Sequence, residues 1–394
     1  MGRGGYSWGR PQVRGKDQRE RPAQAKKVYH RPIVVWNITR GCNLSCVHCY
    51  ISAKRAPDPM ELSTSEAKDV AGQLADYGVP VVLFSGGEPL VREGLLEVAS
   101  YAKSKGLRLG LSTNGTLLTR IKVREVMSAG FSCAGISIDG PEAINDKSRG
   151  AIGAYEDALM GIRNSLAEGL RVSLRFTFTR HNHKYLDEIF ELVEREGIPR
   201  VCIYHLGYSG RGEKISERAS LTSDEIREAM EWCMEWPDRF VQKGLDVEVL
   251  TVNNHADSPY LLMRLAEQRP DQVEEAARLL ALNGGNSSGV GISSIAPLGT
   301  VRPDQFSNSL TLGNVRTRSF GEIWEDTTNP KMFCLKATPR ALMGRCGRCP
   351  VLPLCNGNSR SRAFAATGSY WESDPACYPT ANELDRVAEI TGAS

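Results

Sequence analysis

Between residues 32 and 205 six short apolar runs alternate with five stretches that carry polar residues on one helical face. The apolar runs cover 32–37, 79–84, 107–112, 133–138, 171–178 and 200–205, each of strand length. Between them lie helix-length segments with apolar positions at three- and four-residue spacing, at 67–77, 93–105, 117–129, 152–168 and 184–197. Ser63-Thr64-Ser65-Glu66 is a helix N-terminal signal for the first of these. Alternation of this kind predicts βα units and a parallel sheet, an α/β fold. Six units are fewer than the eight that close a barrel. Beyond 211 the pattern changes to two long helical stretches, 221–243 and 259–282. A glycine- and asparagine-rich loop at 283–289 leads to strand-like pieces at 290–296 and 310–315. The expected organisation is a tail at 1–30, a βα unit at 31–215, a helical linker at 216–289 and a small C-terminal domain at 290–394.

Charge changes the view of the tail. The chain carries a formal +3, yet residues 1–28 hold eight basic and two acidic side chains, which leaves the rest at about −3. With almost no apolar residues this segment is expected to be disordered. No apolar run approaches the ~20 residues that span a bilayer, and no secretory h-region precedes the first strand. A cytoplasmic protein is expected, with no membrane association and no nucleic-acid partner.

The cysteines redirect the reading toward chemistry. Seven of the eleven fall into two groups, Cys42/Cys46/Cys49 and Cys346/Cys349/Cys355/Cys377. Soft thiolates in such groups suit iron–sulfur clusters or zinc. The first group offers three ligands where a cubane needs four, which leaves one iron open to another ligand. A zinc site there would need His48 as its fourth ligand. The second group has enough thiolates to close either a zinc site or a cubane, with Cys334 as the alternative to Cys377. Polar residues also recur where the predicted strands end, at Ser85-Gly86-Gly87-Glu88, Ser112-Thr113-Asn114, Ser137-Ile138-Asp139, Arg175 and His205. In βα folds that edge carries the active site.

Cys42-x-x-x-Cys46-x-x-Cys49, followed by the aromatic Tyr50, resembles the signature of radical S-adenosylmethionine (SAM) enzymes. The resemblance implies a partial (β/α)6 barrel. It also implies a [4Fe–4S] cluster whose fourth iron is chelated by SAM, and reductive cleavage of SAM to methionine and a 5′-deoxyadenosyl radical. Ser85, Gly86, Gly87 and Glu88 resemble the family's Gly-Gly-Glu-Pro element at the SAM amino group. Ser112, Asn114, Ser137 and Asp139 resemble its polar residues near the ribose and carboxylate, and Arg175 the basic residue that meets the carboxylate. Leu312-Gly313-Asn314-Val315 with Ile323-Trp324, ahead of Cys346, Cys349, Cys355 and Cys377, resembles a SPASM/twitch-like domain carrying a second [4Fe–4S] cluster. Pro303-Asp304 stands where a further cysteine of the two-auxiliary-cluster pattern would be, so one auxiliary cluster is expected.

Further stretches, among them Val34-Val35-Trp36-Asn37, Tyr208-Ser209-Gly210-Arg211-Gly212, Asn253-Asn254-His255-Ala256-Asp257 and Cys346-Gly347-Arg348-Cys349, resemble radical SAM enzymes of modified-heme synthesis. That group trims side chains of siroheme-derived tetrapyrroles. The resemblance implies removal of acetate side chains from 12,18-didecarboxysiroheme to give Fe-coproporphyrin III. The propionate-removing enzyme of heme d1 synthesis and the Fe-coproporphyrin III decarboxylase are alternatives within the group. A SPASM peptide maturase is a more distant one, and a zinc-binding scaffold is the non-enzyme alternative. A low-potential donor such as ferredoxin or flavodoxin is the implied partner. A polycarboxylate macrocycle needs cations and hydrogen-bonding groups around it. His205, Tyr208, Arg211, His255, Arg360 and Arg362 are the expected rim.

Overall fold

Strand β6, Arg171–Phe178, shows how the sequence builds the sheet. Val172, Leu174, Phe176 and Phe178 are buried, and Ser173, Arg175 and Thr177 between them are only half-buried. One face therefore packs under helices while the other lines a concave interior, as the two-residue period of a strand requires. The computed structural model describes residues 5–7 and 31–392. Its single sheet contains β1 (Gly5–Ser7), β2 (Ile33–Thr39), β3 (Val81–Gly86), β4 (Arg108–Thr113), β5 (Phe131–Ser137), β6, β7 (Arg200–His205), β8 (Glu248–Val252), β9 (Ile292–Ile295), β10 (Thr300–Arg302) and β11 (Gly313–Asn314). The order is β1-β8-β7-β6-β5-β4-β3-β2-β9-β10-β11. Neighbours from β2 to β8 run parallel in sequence order, and β9 runs parallel to β2 at the other side.

The six predicted strands are present, and the first helix, Thr64–Tyr77, begins with a full capping box of Ser63 and Glu66. The aromatic core under the sheet starts at Trp36, stacked on Phe84 at 5.4 Å, with Phe131 edge-on to Phe84. Three expectations need correction. Residues 216–289 are not purely helical, because Glu248–Val252 adds β8 beside β7; its run is too short to stand out between two long helices. The expected helix 259–282 is two helices, Asp257–Gln268 and Val273–Asn283, broken at Arg269-Pro270, where proline lacks the N–H that a helix interior needs. Residues 5–7 pair antiparallel with β8, so the expectation of disorder fails there; the rest of the basic tail lies outside the described residues. Among the described residues no helix is long and apolar enough to cross a membrane.

The C-terminal region is stitched to the barrel rather than hung from it. The His255 backbone N–H donates to Asn358 Oδ1 at 2.7 Å, and Asn254 Nδ2 donates to the Ala376 carbonyl at 3.2 Å. Arg362 Nη1 reaches the Leu206 carbonyl just after β7. The connector 253–257 is thus wedged between the sheet edge and the second cysteine group.

Candidate active site

The loop after β2 holds Cys42, Cys46 and Cys49 at the C-terminal edge of the sheet. Cys42 Sγ accepts from the Leu44 N–H at 3.4 Å, and Cys49 Sγ from the Ala53 N–H at 3.3 Å. Arg149 Nη1 approaches Cys46 Sγ at 3.8 Å. Burial pushes the Cys42 thiol up to about 11 and raises Cys46 as well, so these sulfurs carry charge readily only beside a cation. Backbone and guanidinium donors aimed at three clustered sulfurs fit the donor set of an open iron–sulfur cubane.

The loop is held from below by two arginines that sequence reasoning assigned elsewhere or missed. Arg211 donates from Nε to the Cys46 carbonyl at 2.7 Å and from Nη1 to the Ala53 carbonyl at 2.8 Å, and its own N–H binds the Cys49 carbonyl. It is a clamp on the cysteine loop, not a cation at the rim. Arg149, at the end of the helix Glu142–Arg149, pairs with the buried Asp139 at 2.6 Å, and His48 Nε2 lies 3.2 Å from the same carboxylate. Asp139 also accepts from the Thr177 N–H. Its carboxylate thus faces the cysteine loop through His48 and Arg149. Arg149 follows a lysine and a serine at an ordinary helix end, which gives it no signature. Arg211→Met removes two charge-assisted donors, each worth about 1.5–3 kcal/mol. Lower thermal stability and faster iron loss than in wild type are expected, read by calorimetry and by chelator-challenged iron release.

The Gly-Gly-Glu element closes against this loop. A Cβ on Gly87 would stand 2.0 Å from the Gly41 carbonyl oxygen, and Gly86 has φ +132°, so only glycine fits at either place. Glu88 is fully buried and accepts from Leu90 N–H, Thr113 Oγ1 and Asn114 N–H at 2.8–3.0 Å. Asn114 in turn donates to Asn43 Oδ1, which ties the end of β4 to the cysteine loop. Burial lifts Glu88 to about 7 against the pull of those donors. The folded carboxyl thus keeps its proton where the unfolded one has lost it, and its contribution to stability falls as pH rises from about 4.5 to 7. Glu88→Gln leaves one backbone donor facing an amide N–H. A loss of about 1–3 kcal/mol and a flatter stability profile over that pH range are expected from denaturant titrations at several pH values.

Inside the concave face, Tyr50 donates to Asn37 Oδ1 at 2.6 Å and lies 3.0 Å from Ser85 Oγ. The Arg175 guanidinium lies over Gly135, where a Cβ would be 2.2 Å from Nε, and reaches Ser112 Oγ on β4. Ser137 stands in register with Arg175. Ser85, Ser112, Ser137 and Arg175 therefore share the interior of the sheet, with Tyr204 as a neighbour that sequence reasoning did not single out.

The expected rim is mostly interior. His205 is buried with Nε2 3.0 Å from Asp257 and Nδ1 3.2 Å from Asn254, so both ring nitrogens are engaged. His255 is buried, and desolvation lowers it to about 4. Arg362 forks onto Asp374 at 2.9–3.1 Å, both fully buried. Arg360 donates to the Tyr370 and Glu372 carbonyls. Tyr208, half-buried, shares a 2.6 Å hydrogen bond with Ser220. Polar residue type alone marked these positions, and it does not distinguish a group that faces substrate from one that satisfies buried carbonyls.

The second thiol group converges as expected. Cys346, Cys349, Cys355 and Cys377 line one cavity with Ala256, Pro259, Arg345, Val351, Leu352, Asn358 and Leu384, and Cys334 is not among the lining residues. Asp374 brings Cys377 in from its long loop: Ala376 N–H donates to its carboxylate and Cys377 N–H to its carbonyl. Cys346 N–H donates to Ser373 Oγ, which ties both ends of the group together. Burial raises Cys349 and Cys355 and pushes Cys377 up to about 12. Four thiols on one cavity, Cys346 and Cys355 buried and Cys349 and Cys377 half-buried, have the donor chemistry of a closed cluster.

The radical SAM superfamily profile matches residues 36–193. Fe-coproporphyrin III synthase of Methanosarcina barkeri is 45% identical over 375 residues, covering 94% of both chains. The chain belongs to the radical SAM superfamily. Pre-heme d1 synthase of Dinoroseobacter shibae is 39% identical over 362 residues, 91% of this chain and 89% of that one. Among solved structures, native anSMEcpe with bound AdoMet superposes with a TM-score of 0.67 at 17% identity, covering 92% of this chain and 99% of the other. That likeness concerns the fold, a radical SAM barrel with a SPASM-type extension. The protein is a radical SAM enzyme of the heme-biosynthesis group, and its cofactors are SAM and [4Fe–4S] clusters.

Proposed function

We propose that this radical SAM enzyme removes acetate side chains from 12,18-didecarboxysiroheme to give Fe-coproporphyrin III. Identity of 45% across 94% of the chain to a Fe-coproporphyrin III synthase carries this reading. The 39% identity to a pre-heme d1 synthase keeps propionate removal as the second reading. Cys42, Cys46 and Cys49 hold the cluster that SAM completes, and Cys346, Cys349, Cys355 and Cys377 hold the second. Bound together, SAM and the reduced cluster supply hydrogen abstraction, the difficult part of the chemistry. The protein's residues do the positioning. Arg211 and Arg149 fix the cysteine loop, Glu88 fixes the strand ends beside it, and Arg175 offers a guanidinium for the SAM carboxylate. A ferredoxin or flavodoxin in the cytoplasm is the proposed reductant.

The test is anaerobic turnover of reconstituted enzyme with SAM, reductant and each tetrapyrrole in turn, read by product mass. Loss of acetates from didecarboxysiroheme supports the first reading. Propionate loss supports the second. Cleavage of SAM without either product overturns both.

A further inference from the structure

Arg302 ends β10 on the concave side of the sheet. It is paired with Ser294 of β9, and Ser294 with Val35 of β2. Residues in register share a face, and the next residue along a strand takes the other. The neighbours Trp36 and Val301 are buried in the main core. Val35, Ser294 and Arg302 therefore turn inward, as does Asn37, which accepts from the Tyr50 hydroxyl. After Arg302 the chain folds over the mouth of the barrel at 303–309. Phe306 meets Tyr50 edge-on at 5.5 Å, and a Cβ on Gly207 would stand 2.9 Å from its ring. Asn308 Nδ2 donates to the Tyr50 carbonyl and to Ser209 Oγ. This turn thus bridges the cysteine loop and the residues after β7.

Asn308 also fixes the Arg302 side chain. Its Oδ1 accepts from Nη1 at 2.5 Å, and this is the one hydrogen bond that the guanidinium makes among the described residues. Nε is buried with no acceptor, and Nη2 donates to no described residue. Asp304, the acid of the same turn, is spent on Ser288, Phe306 and Ser307. A buried guanidinium N–H without a partner is costly. Held at Nη1 alone, Arg302 has its Nε–Nη2 edge left over, an edge that a carboxylate grips with two parallel bonds. Arg360 and Arg362 are each 1% exposed, whereas Arg302 is half-buried on the open concave face.

We propose that Arg302 binds a carboxylate of the tetrapyrrole through Nε and Nη2, with Asn308 positioning the guanidinium. This rests on the proposed function, which supplies a polycarboxylate substrate. The Phe306 ring of the same turn adds an apolar face next to the charged anchor, a combination that suits a macrocycle with acidic side chains. SAM is the other source of a carboxylate at this face. Arg302 lies two strands beyond β2, while Arg175, offered above to SAM, lies four strands away on the other side.

The experiment measures binding to the anaerobic, cluster-loaded full chain by isothermal titration calorimetry. The probes are Fe-coproporphyrin III, its tetramethyl ester and SAM. Arg302→Met is expected to bind Fe-coproporphyrin III about tenfold or more weakly than wild type. Its affinities for the ester and for SAM are expected to stay at the wild-type values. Arg302→Lys keeps the charge and loses the planar fork, and an intermediate affinity is expected. Unchanged Fe-coproporphyrin III affinity in Arg302→Met overturns the proposal. Equal losses for acid and ester overturn the carboxylate contact. Loss of SAM affinity with porphyrin affinity retained overturns it too, and gives the carboxylate to SAM. A wild type that binds no Fe-coproporphyrin III overturns the proposed function, and this proposal with it. Should Arg302→Met fail to fold, Arg302→Lys decides: weaker binding of the acid alone supports the contact, and wild-type binding overturns it.

Discussion

Cys46→Ala is expected to lower methionine release from SAM by about a thousandfold or more, equivalent to at least ~4 kcal/mol of barrier. The reason lies in the count of ligands. On the proposed ligation three thiols leave one iron for SAM, and removing one of them leaves a cluster held by two sulfurs. Arg149 worsens the loss, because its guanidinium is placed 3.8 Å from the sulfur that disappears while Asp139 still pins it there. Arg211 holds the backbone of the same residue, so the loop stays ordered and the defect is one of ligation. Cys334→Ser is the matched control. That cysteine sits on the helix Pro330–Lys336 outside both thiol groups, and its replacement is expected to leave methionine release and iron content unchanged. Measuring both variants by anaerobic methionine release and iron analysis separates loss of a ligand from loss of any cysteine.

The second large effect is expected at Asp374, a residue with no sequence signature. Its carboxylate takes the Arg362 fork, the Ser359 N–H and the Ala376 N–H, all in the interior. Asp374→Asn leaves the Arg362 charge buried and uncompensated, a situation that costs about 3–5 kcal/mol. The penalty falls on one place, because Asp374 organises the turn that delivers Cys377 and holds the N–H of Ser359, the N-cap of the helix Arg360–Thr367 that carries Arg360 and Arg362. Denaturant unfolding is expected to shift by that amount. Iron per chain is expected to fall toward half of the wild-type value, with the N-terminal cluster retained.

What the sequence disclosed and what it hid follow one physical distinction. Local patterns were legible: the two-residue period of β6, the capping box at Ser63 and Glu66, and thiol spacing within short loops, where chain length alone forces proximity. Ligand convergence over a long gap was legible only as far as chemistry demands a fourth thiol. The interior placement of Cys377 was decided by Asp374 and Ser373, which no spacing reveals. Contacts made by long charged side chains were misread. Arg211, Arg360 and Arg362 look like a cationic rim because arginine type carries no information about direction. In the fold each reaches backbone carbonyls or a buried carboxylate, and Arg211 holds the cysteine loop. The Asp139–Arg149 pair was hidden for the same reason, the two residues lying ten apart across a helix. Strand β8 escaped because five residues between long helices do not establish a period.

The central claim is that SAM cleavage at the Cys42/Cys46/Cys49 loop is coupled to side-chain removal from a tetrapyrrole. Its most direct test is the ratio of methionine to acetate released by the anaerobic, cluster-loaded enzyme turning over didecarboxysiroheme. The account predicts that the two rise together, with one methionine for each acetate, and that both vanish in Cys46→Ala. Acetate release that continues in Cys46→Ala, or that proceeds without methionine, would contradict it.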